Sequence, residues 1–181
     1  MDIPTGVIPA IRKMKDFEKA LTTSNEWIVF LETRLGQLKS VVEYSKKANK
    51  KVLIHIDLIQ GLKADEYGME FLIHEMKPDG ILTTRGNIIN LARRKGILAI
   101  QRMFLLDSGA IEQNMQLINR FKPDCIEVLP GLMPQVIGDI YKKTDIPIIA
   151  GGLLKSEEEV YSALEAGAIG ISTSSSNLWC L

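Results

Sequence analysis

The sequence has few of the residues on which many functions depend. Its 181 residues include two cysteines and two histidines, and Lys+Arg and Asp+Glu both number 22. A net charge of zero gives no long-range field that would attract nucleic acid or a membrane surface, so any such binding must be local. Cys125 and Cys180 are not part of a CxxC or His-rich pattern, which predicts free thiols in a reducing cytoplasm. No stretch of 18 apolar residues occurs, so we expect neither a membrane span nor an export signal.

Recognisable catalytic motifs are also missing. The sequence contains no HExxH, no GxSxG, and no lysine at the end of a predicted strand where a Schiff base would form. His55 lies inside a predicted strand, where a hydrogen-bonded core group is its commoner role. The sequence therefore favours a binding protein. Because Asp57 and Glu127 could form an acid/base pair, a small barrel enzyme acting on a phosphorylated triose or polyol is the alternative.

Short runs of Val, Ile and Leu alternate with amphipathic segments along the whole chain, which is typical of parallel α/β proteins. Eight strands are predicted, at residues 7–11, 27–31, 51–57, 80–83, 98–104, 125–129, 147–150 and 168–173. The count of eight, with no GxGxxG after the first strand, favours a compact TIM-like (β/α)8 barrel over an open doubly wound sheet. We expect one such domain over residues 1–181.

Helix signals separate these strands. Residues 66–76 have a helical pattern, and so does 38–48, whose inner face is predicted to be Leu38, Val41, Val42 and Ser45. Ser156, followed by three glutamates, predicts an N-cap with a capping box. MKPDGIL and FKPDCIEVL, which begin at Met76 and Phe121, repeat one helix end, turn and strand start.

Only SSNLWCL follows the eighth predicted strand, which predicts a shortened final helix and a thin barrel wall beside the first strand. Two arrangements are open at this point. Another subunit in a homo-oligomer covers the wall through exposed Trp179 and Leu181, or the segment packs back onto its own chain.

The last two predicted strands end in small and hydroxyl residues, as expected of a phosphate cradle. Gly151 and Gly152 have no Cβ, so their backbone can approach a ligand, and Ser172, Thr173 and Ser174 would add N–H groups and hydroxyls. In (β/α)8 barrels a phosphate site frequently forms after strands 7 and 8. A pair of simple turns is the other interpretation.

Charged residues follow or interrupt other predicted strands, where barrel ligands bind. The arginines among them could bind phosphate in a bidentate manner, and the acids could neutralise them, orient polyol hydroxyls or hold a divalent metal. A charge lattice that fills the top layer of the barrel is an equally good explanation. These residues are Arg12, Glu32, Asp57, Arg85, Arg102 and Glu127.

Basic residues cluster at predicted helix C-termini, opposite the cradle. Helix dipoles favour cations there, and an RNA-backbone footprint is the functional alternative. Few aromatic residues lie nearby, so base-specific readout is not evident. The RNA-binding candidates are Lys46, Lys47, Lys50, Lys51, Arg93, Arg94, Lys95, Lys142 and Lys143.

Several characteristic sequence segments occur in this order along the chain: IPAIR, IHIDLIQGL, ILTTRGNIINLARRKGILAIQRMFLLDSGAI, EVLPGLMPQVI, IPIIAGGLL and GAIGISTSSSNLW. With them the sequence resembles the glycerol-3-phosphate-responsive antiterminators, cytoplasmic bacterial regulators of glycerol use. The resemblance implies a TIM-barrel-like protein that binds glycerol 3-phosphate and acts on leader mRNA, so that RNA polymerase reads past a terminator. It also implies no turnover, and we expect no cofactor, metal or membrane partner. Arg85 departs from the lysine expected in that segment.

With this ligand in mind, the residue patterns predict two sets of contacts. The phosphate would be held by Gly151, Gly152, Ser172, Thr173, Ser174, Arg102 and Arg85. The glycerol hydroxyls would meet Asp57, Glu127, Glu32 and Arg12.

Overall fold

Eight parallel strands close into a barrel in the computed structural model, which describes residues 2–181. The barrel strands are β1 (Gly6–Ile11), β2 (Trp27–Phe30), β4 (Lys51–His55), β6 (Gly80–Thr83), β7 (Leu98–Phe104), β8 (Cys125–Leu129), β9 (Ile148–Gly151) and β10 (Ala168–Thr173). They follow one another in chain order around the barrel, and β10 pairs with β1 to close it. The predicted (β/α)8 barrel of parallel strands is therefore confirmed.

The predicted strands agree with the structure except at their ends. The third was predicted to continue to residue 57, but β4 ends at His55 because Ile56–Leu58 turn into a 3-10 helix. Two short strands were not predicted, β3 (Thr33–Arg34) and β5 (Ile59–Gln60), which pair outside the barrel.

Seven α-helices surround the barrel in the described residues. They are α1 (Phe17–Thr22), α2 (Leu35–Lys47), α3 (Glu66–Phe71), α4 (Gly86–Arg94), α5 (Ser108–Phe121), α6 (Pro134–Thr144) and α7 (Glu157–Glu165). The four residues predicted for the inner face of α2 are its buried residues. The predicted 66–76 segment is α3 continued by a π-helical stretch, Leu72–Met76. In residues 2–181 no helix combines the length and apolar character needed to cross a membrane.

The repeated Lys-Pro-Asp sequence has one structural role at both positions. Lys77 and Lys122 are left-handed, with φ of 50° and 48°, and each ends a helical segment. Asp79 and Asp124 then accept hydrogen bonds of 2.8 and 2.9 Å from backbone N–H groups of the preceding barrel strand. The repeat therefore ends a helix and fixes the start of the next strand.

The barrel is filled by alternate residues of its strands, since successive side chains of a strand point to opposite faces. This interior cluster is Ile8, Ala10, Trp27, Val29, Leu31, Leu53, Leu82, Leu98, Ile100, Cys125 and Ile149. Two further clusters lie between the strands and the helices. The buried polar side chains of His55, Arg102, Glu127 and Ser172 lie above this cluster, toward the carboxyl ends of their strands, which places the candidate site there.

The final helix is one 3-10 turn, Ser176–Leu178, as the short C-terminal segment predicts. Trp179 is fully buried, and its Nε1 donates to the Thr173 carbonyl at 2.8 Å. Asn25 donates to the Trp179 carbonyl at 2.8 Å. The expectation of an exposed Trp179 is therefore wrong, because the ring packs back onto its own barrel. Leu181 is exposed.

Candidate ligand site

A cavity of about 470 Å³ opens at the carboxyl ends of the strands. Its walls come from the ends of β1, β7, β8 and β10 and from the segments after β2, β9 and β10. The lining residues are Ala10, Arg12, Leu31, Arg102, Phe104, Leu129, Pro130, Gly152, Leu153, Leu154, Lys155, Ser172, Thr173, Ser174 and Ser175. Six predicted site residues are among them: Gly152, Ser172, Thr173, Ser174, Arg102 and Arg12.

Free backbone N–H groups follow β9 and β10, the seventh and eighth strands of the barrel. Gly152 and Leu153 are both left-handed, with φ of 72° and 63°. Within residues 2–181, no carbonyl or side chain accepts from the N–H of Leu153 or Ser174. Unpaired N–H groups beside a cavity bind anions well. This arrangement can accept phosphate oxygens.

A buried ion pair forms the floor below these N–H groups. Arg102 Nε donates to Glu127 Oε2 at 2.6 Å, and Ser172 Oγ donates to Glu127 Oε1 at 2.5 Å. The Arg102 and Glu127 side chains are almost completely buried. Glu127 accepts only from Arg102 Nε. The two terminal nitrogens of the Arg102 guanidinium have no hydrogen-bond acceptor in the described residues, so they can donate to a ligand in the cavity.

Gly151 makes room for this floor. A Cβ added there would lie 2.4 Å from Ser172 Oγ and 3.2 Å from Glu127 Oε1. Gly151 does not itself line the cavity. Its predicted role was close approach of the backbone to phosphate, and the geometry instead assigns it to the Glu127–Ser172 hydrogen bond.

Two other cations reach the cavity. Lys155 was not predicted as a ligand residue, because it follows β9 by several residues. Arg12 lies at the rim with Glu32, and their Nε and Oε1 are 3.4 Å apart. Glu32 does not line the cavity.

Asp57 and Arg85 lie away from the cavity and organise the loop between β6 and α4. Asp57 accepts hydrogen bonds from the Thr83 hydroxyl at 3.0 Å and from the Thr84 N–H at 2.8 Å. Its Oδ1 is 3.2 Å from Arg85 Nε. This pair therefore neutralises itself, and neither partner faces the free N–H groups described above.

His55 is buried near the ion pair. Its side chain belongs to the core, as expected, but neither ring nitrogen has a hydrogen-bond partner in the described residues. Burial, assisted by the positive charge of Arg102, lowers the pKa of His55 from 6.5 to about 4. The imidazole is therefore neutral at pH 7.

In residues 2–181 the thiols and carboxylates are not grouped as metal ligands. Cys125 and Cys180 are free, and burial raises the pKa of the Cys125 thiol. Between residues 2 and 181, no group of three His, Cys, Asp or Glu side chains could hold a metal ion.

Most of the basic residues proposed for RNA have partners within the protein. Lys46 and Arg93 lie 3.6 and 3.3 Å from the carboxylates of the two repeated aspartates. Lys95 Nζ is 3.1 Å from Glu70, and Lys51 pairs with Asp2 and Glu26, whose hydrogen bonds raise the Lys51 pKa.

Lys50 is buried, and its Nζ donates to the carbonyl oxygens of Thr23 and Asn25. Burial also lowers its pKa. The geometry therefore assigns Lys50 to the fold and not to an RNA surface. Four of the candidates are exposed and have no acidic partner in the described part of the chain: Lys47, Arg94, Lys142 and Lys143.

The comparisons with known proteins agree with this architecture. Residues 7–179 match the family model described as glycerol-3-phosphate responsive antiterminator. The uncharacterized protein YgcP of Escherichia coli (strain K12) is 33% identical over 175 residues, covering 97% of this chain and 92% of YgcP.

Two crystal structures are similar over almost the whole chain. The glycerol uptake operon antiterminator regulatory protein from Listeria monocytogenes has a TM-score of 0.93 and 44% identity, with 96% of each chain covered. A glycerol uptake operon antiterminator-related protein from Thermotoga maritima has a TM-score of 0.87 and 30% identity, with 98% of this chain and 99% of that chain covered. The protein therefore belongs to the glycerol-3-phosphate responsive antiterminator family.

Proposed function

We propose that this protein senses glycerol 3-phosphate and, in response, binds the leader mRNA of glycerol-utilisation genes so that RNA polymerase reads past a terminator. The observation that carries the proposal is the two unpaired N–H groups at Leu153 and Ser174, beside the Arg102 guanidinium. Family membership supports a regulatory role. We expect no turnover and no cofactor.

Phosphate oxygens would be bound mainly by the backbone and by Arg102. The Ser172 hydroxyl already donates to Glu127, and the Thr173 hydroxyl accepts from the Ser175 N–H. The Ser174 hydroxyl has no partner in the described residues, so it can donate to the ligand. Lys155 and Arg12 add positive charge around the dianion.

The enzyme alternative loses its acid/base pair in this geometry. Asp57 lies outside the cavity, and both Glu127 oxygens accept hydrogen bonds from other residues. The two carboxylates therefore do not face one substrate position.

Equilibrium titration with glycerol 3-phosphate tests the ligand site. Arg102→Met alone would leave Glu127 as an unpaired buried charge, so Arg102→Met/Glu127→Gln is the better variant. Loss of a charge-assisted hydrogen bond should weaken binding about 10- to 100-fold. Arg85→Met is the matched control, because that arginine lies outside the cavity, and its affinity should stay close to wild type. Equal losses in both variants would contradict the proposed position of the phosphate.

We propose that leader RNA binds the exposed basic residues at helix C-termini that have no acidic partner in the described residues. Arg94 ends α4, and Lys142 and Lys143 lie in the last turn of α6, on the face opposite the cavity; α5 lies between these two helices. Lys142→Gln/Lys143→Gln should weaken binding of leader RNA and reduce the salt dependence by about 0.7 per lost contact with a single-stranded phosphate. Lys13→Gln/Lys15→Gln, on the cavity face, is the control.

Ligand-driven regulation requires that glycerol 3-phosphate bind the RNA-competent state better than the other state. We propose that the loops after β6, β7 and β8 become ordered when glycerol 3-phosphate binds. The decisive measurement is leader-RNA affinity with and without glycerol 3-phosphate across a salt series. No ligand-dependent change at any salt concentration would refute the proposed function.

A further inference from the structure

The three carboxylates predicted to bind glycerol hydroxyls do not face the cavity. Both oxygens of Glu127 already accept hydrogen bonds, from Arg102 and Ser172. Asp57 is bound to the β6–α4 loop, and neither Asp57 nor Glu32 lines the cavity. The part of a ligand that lies beyond its phosphate therefore meets few carboxylate acceptors.

An apolar wall lies where those acceptors were expected. Leu31, Phe104 and Leu129 come from the ends of three other strand units, while the phosphate cradle comes from β9 and β10. Phe104 and Leu129 are paired in the sheet register, so their side chains lie side by side at one height of the barrel.

Two residues of this wall are unusually exposed for lining residues. Phe104 is 41% exposed and Leu153 is 64% exposed, although both border the cavity. Leu153 also has a left-handed backbone, which costs a non-glycine residue about 1–2 kcal/mol. A strained residue that presents an apolar side chain at a ligand cavity indicates a binding role.

We propose that the cavity takes a glycerol 3-phosphate whose terminal hydroxyl carries an apolar group, as in an alkyl ether or an acyl ester. This inference rests on the proposed function, since it uses the same phosphate cradle. The volume of about 470 Å³ falls in the range of cavities that hold ligands of drug size, which are larger than glycerol 3-phosphate. The apolar group would cover Phe104 and Leu153.

Titration with a series of ethers tests the proposal: glycerol 3-phosphate and its 1-O-methyl, 1-O-butyl and 1-O-hexyl derivatives. We expect affinity to rise along the series by up to about four-fold per buried methylene. 1-O-hexylglycerol, which has no phosphate, should bind far more weakly than the hexyl ether of glycerol 3-phosphate.

Phe104→Ser should remove much of the increase with chain length. Leu106→Ser is the matched control, because Leu106 is 79% exposed close by but does not line the cavity, and it should keep the full increase.

A flat or falling affinity along the series, with glycerol 3-phosphate itself bound, would overturn this inference and leave the proposed function standing. In that case the apolar wall packs against itself or a partner. Equal binding of 1-O-hexylglycerol would overturn it as non-specific association. Failure of every phosphate ligand to bind would overturn both proposals.

Discussion

The stability of this barrel should depend on pH through one buried histidine. His55 is 3% exposed, and burial, with a contribution from Arg102, lowers its pKa to about 4 from 6.5. As pH falls below 6.5 the unfolded chain binds a proton at this position, and the folded chain does not until the pH approaches 4. Folding stability is therefore full above pH 6.5 and declines as pH falls through this window.

The size of the effect follows from the two pKa values. One pKa unit corresponds to about 1.4 kcal/mol, so protonation linkage at His55 should cost about 2 kcal/mol at pH 5 and about 3 kcal/mol below pH 4. The group is almost completely buried, so screening by solvent reduces this figure little.

Urea unfolding at pH 7 and pH 5 measures the effect, with His55→Gln compared to wild type. Carboxylates that do not interact with His55 titrate in the same range, but their contribution cancels in the difference between the two proteins. The difference in unfolding free energy should shift in favour of the variant by about 2 kcal/mol between pH 7 and pH 5. His74→Gln, at the exposed histidine, is the control and should follow wild type. Parallel pH profiles for His55→Gln and wild type would refute the reasoning.

Three further substitutions test roles assigned by the structure. Gly151→Ala should destabilise the fold by about 1–3 kcal/mol, because the added Cβ would clash with Ser172 Oγ. Gly36→Ala is the control: an added Cβ at this position of α2 meets no other atom, so the variant should be more stable by up to about 1 kcal/mol. Equal effects in thermal unfolding would contradict the packing role of Gly151. Lys50→Met should lower the free energy of unfolding by about 1–3 kcal/mol but leave the RNA affinity of the folded protein unchanged. A loss of RNA binding would show that Lys50 contacts RNA. Asp57→Asn should also destabilise by about 1–3 kcal/mol without weakening glycerol 3-phosphate binding, and weaker binding in titration would place Asp57 at the ligand.

Local signals in the sequence predicted the elements well. The strands at 80–83, 98–104, 125–129 and 168–173 have the predicted bounds, because each is a short run of mainly apolar residues between segments with helix or turn patterns. The predicted capping box at Ser156 and Glu159 is present, since both of its hydrogen bonds lie within one helical turn. The end of β4 was missed because its final turn is set by contacts of Asp57 with a neighbouring loop.

The ligand site was less predictable because charge pairing depends on residues far apart in the chain. Arg102 and Arg85 both follow apolar runs and look equivalent in the sequence. In the structure Arg102 pairs with Glu127 beneath the cavity, and Arg85 pairs with Asp57 outside it. Likewise Lys50 belongs to a run of lysines that is predicted to be exposed, yet its side chain is buried and its Nζ donates to two carbonyl oxygens.

The sequence by itself determined the barrel and the position of the proposed phosphate cradle. Hydrophobic periodicity fixes eight strands, and closure in chain order brings the small residues after β9 and β10 side by side. Only the tertiary structure decided which charged groups face the cavity, which neutralise one another and which N–H groups stay unpaired. Burial and pairing are properties of atoms brought together by folding, and no local pattern along the chain encodes them.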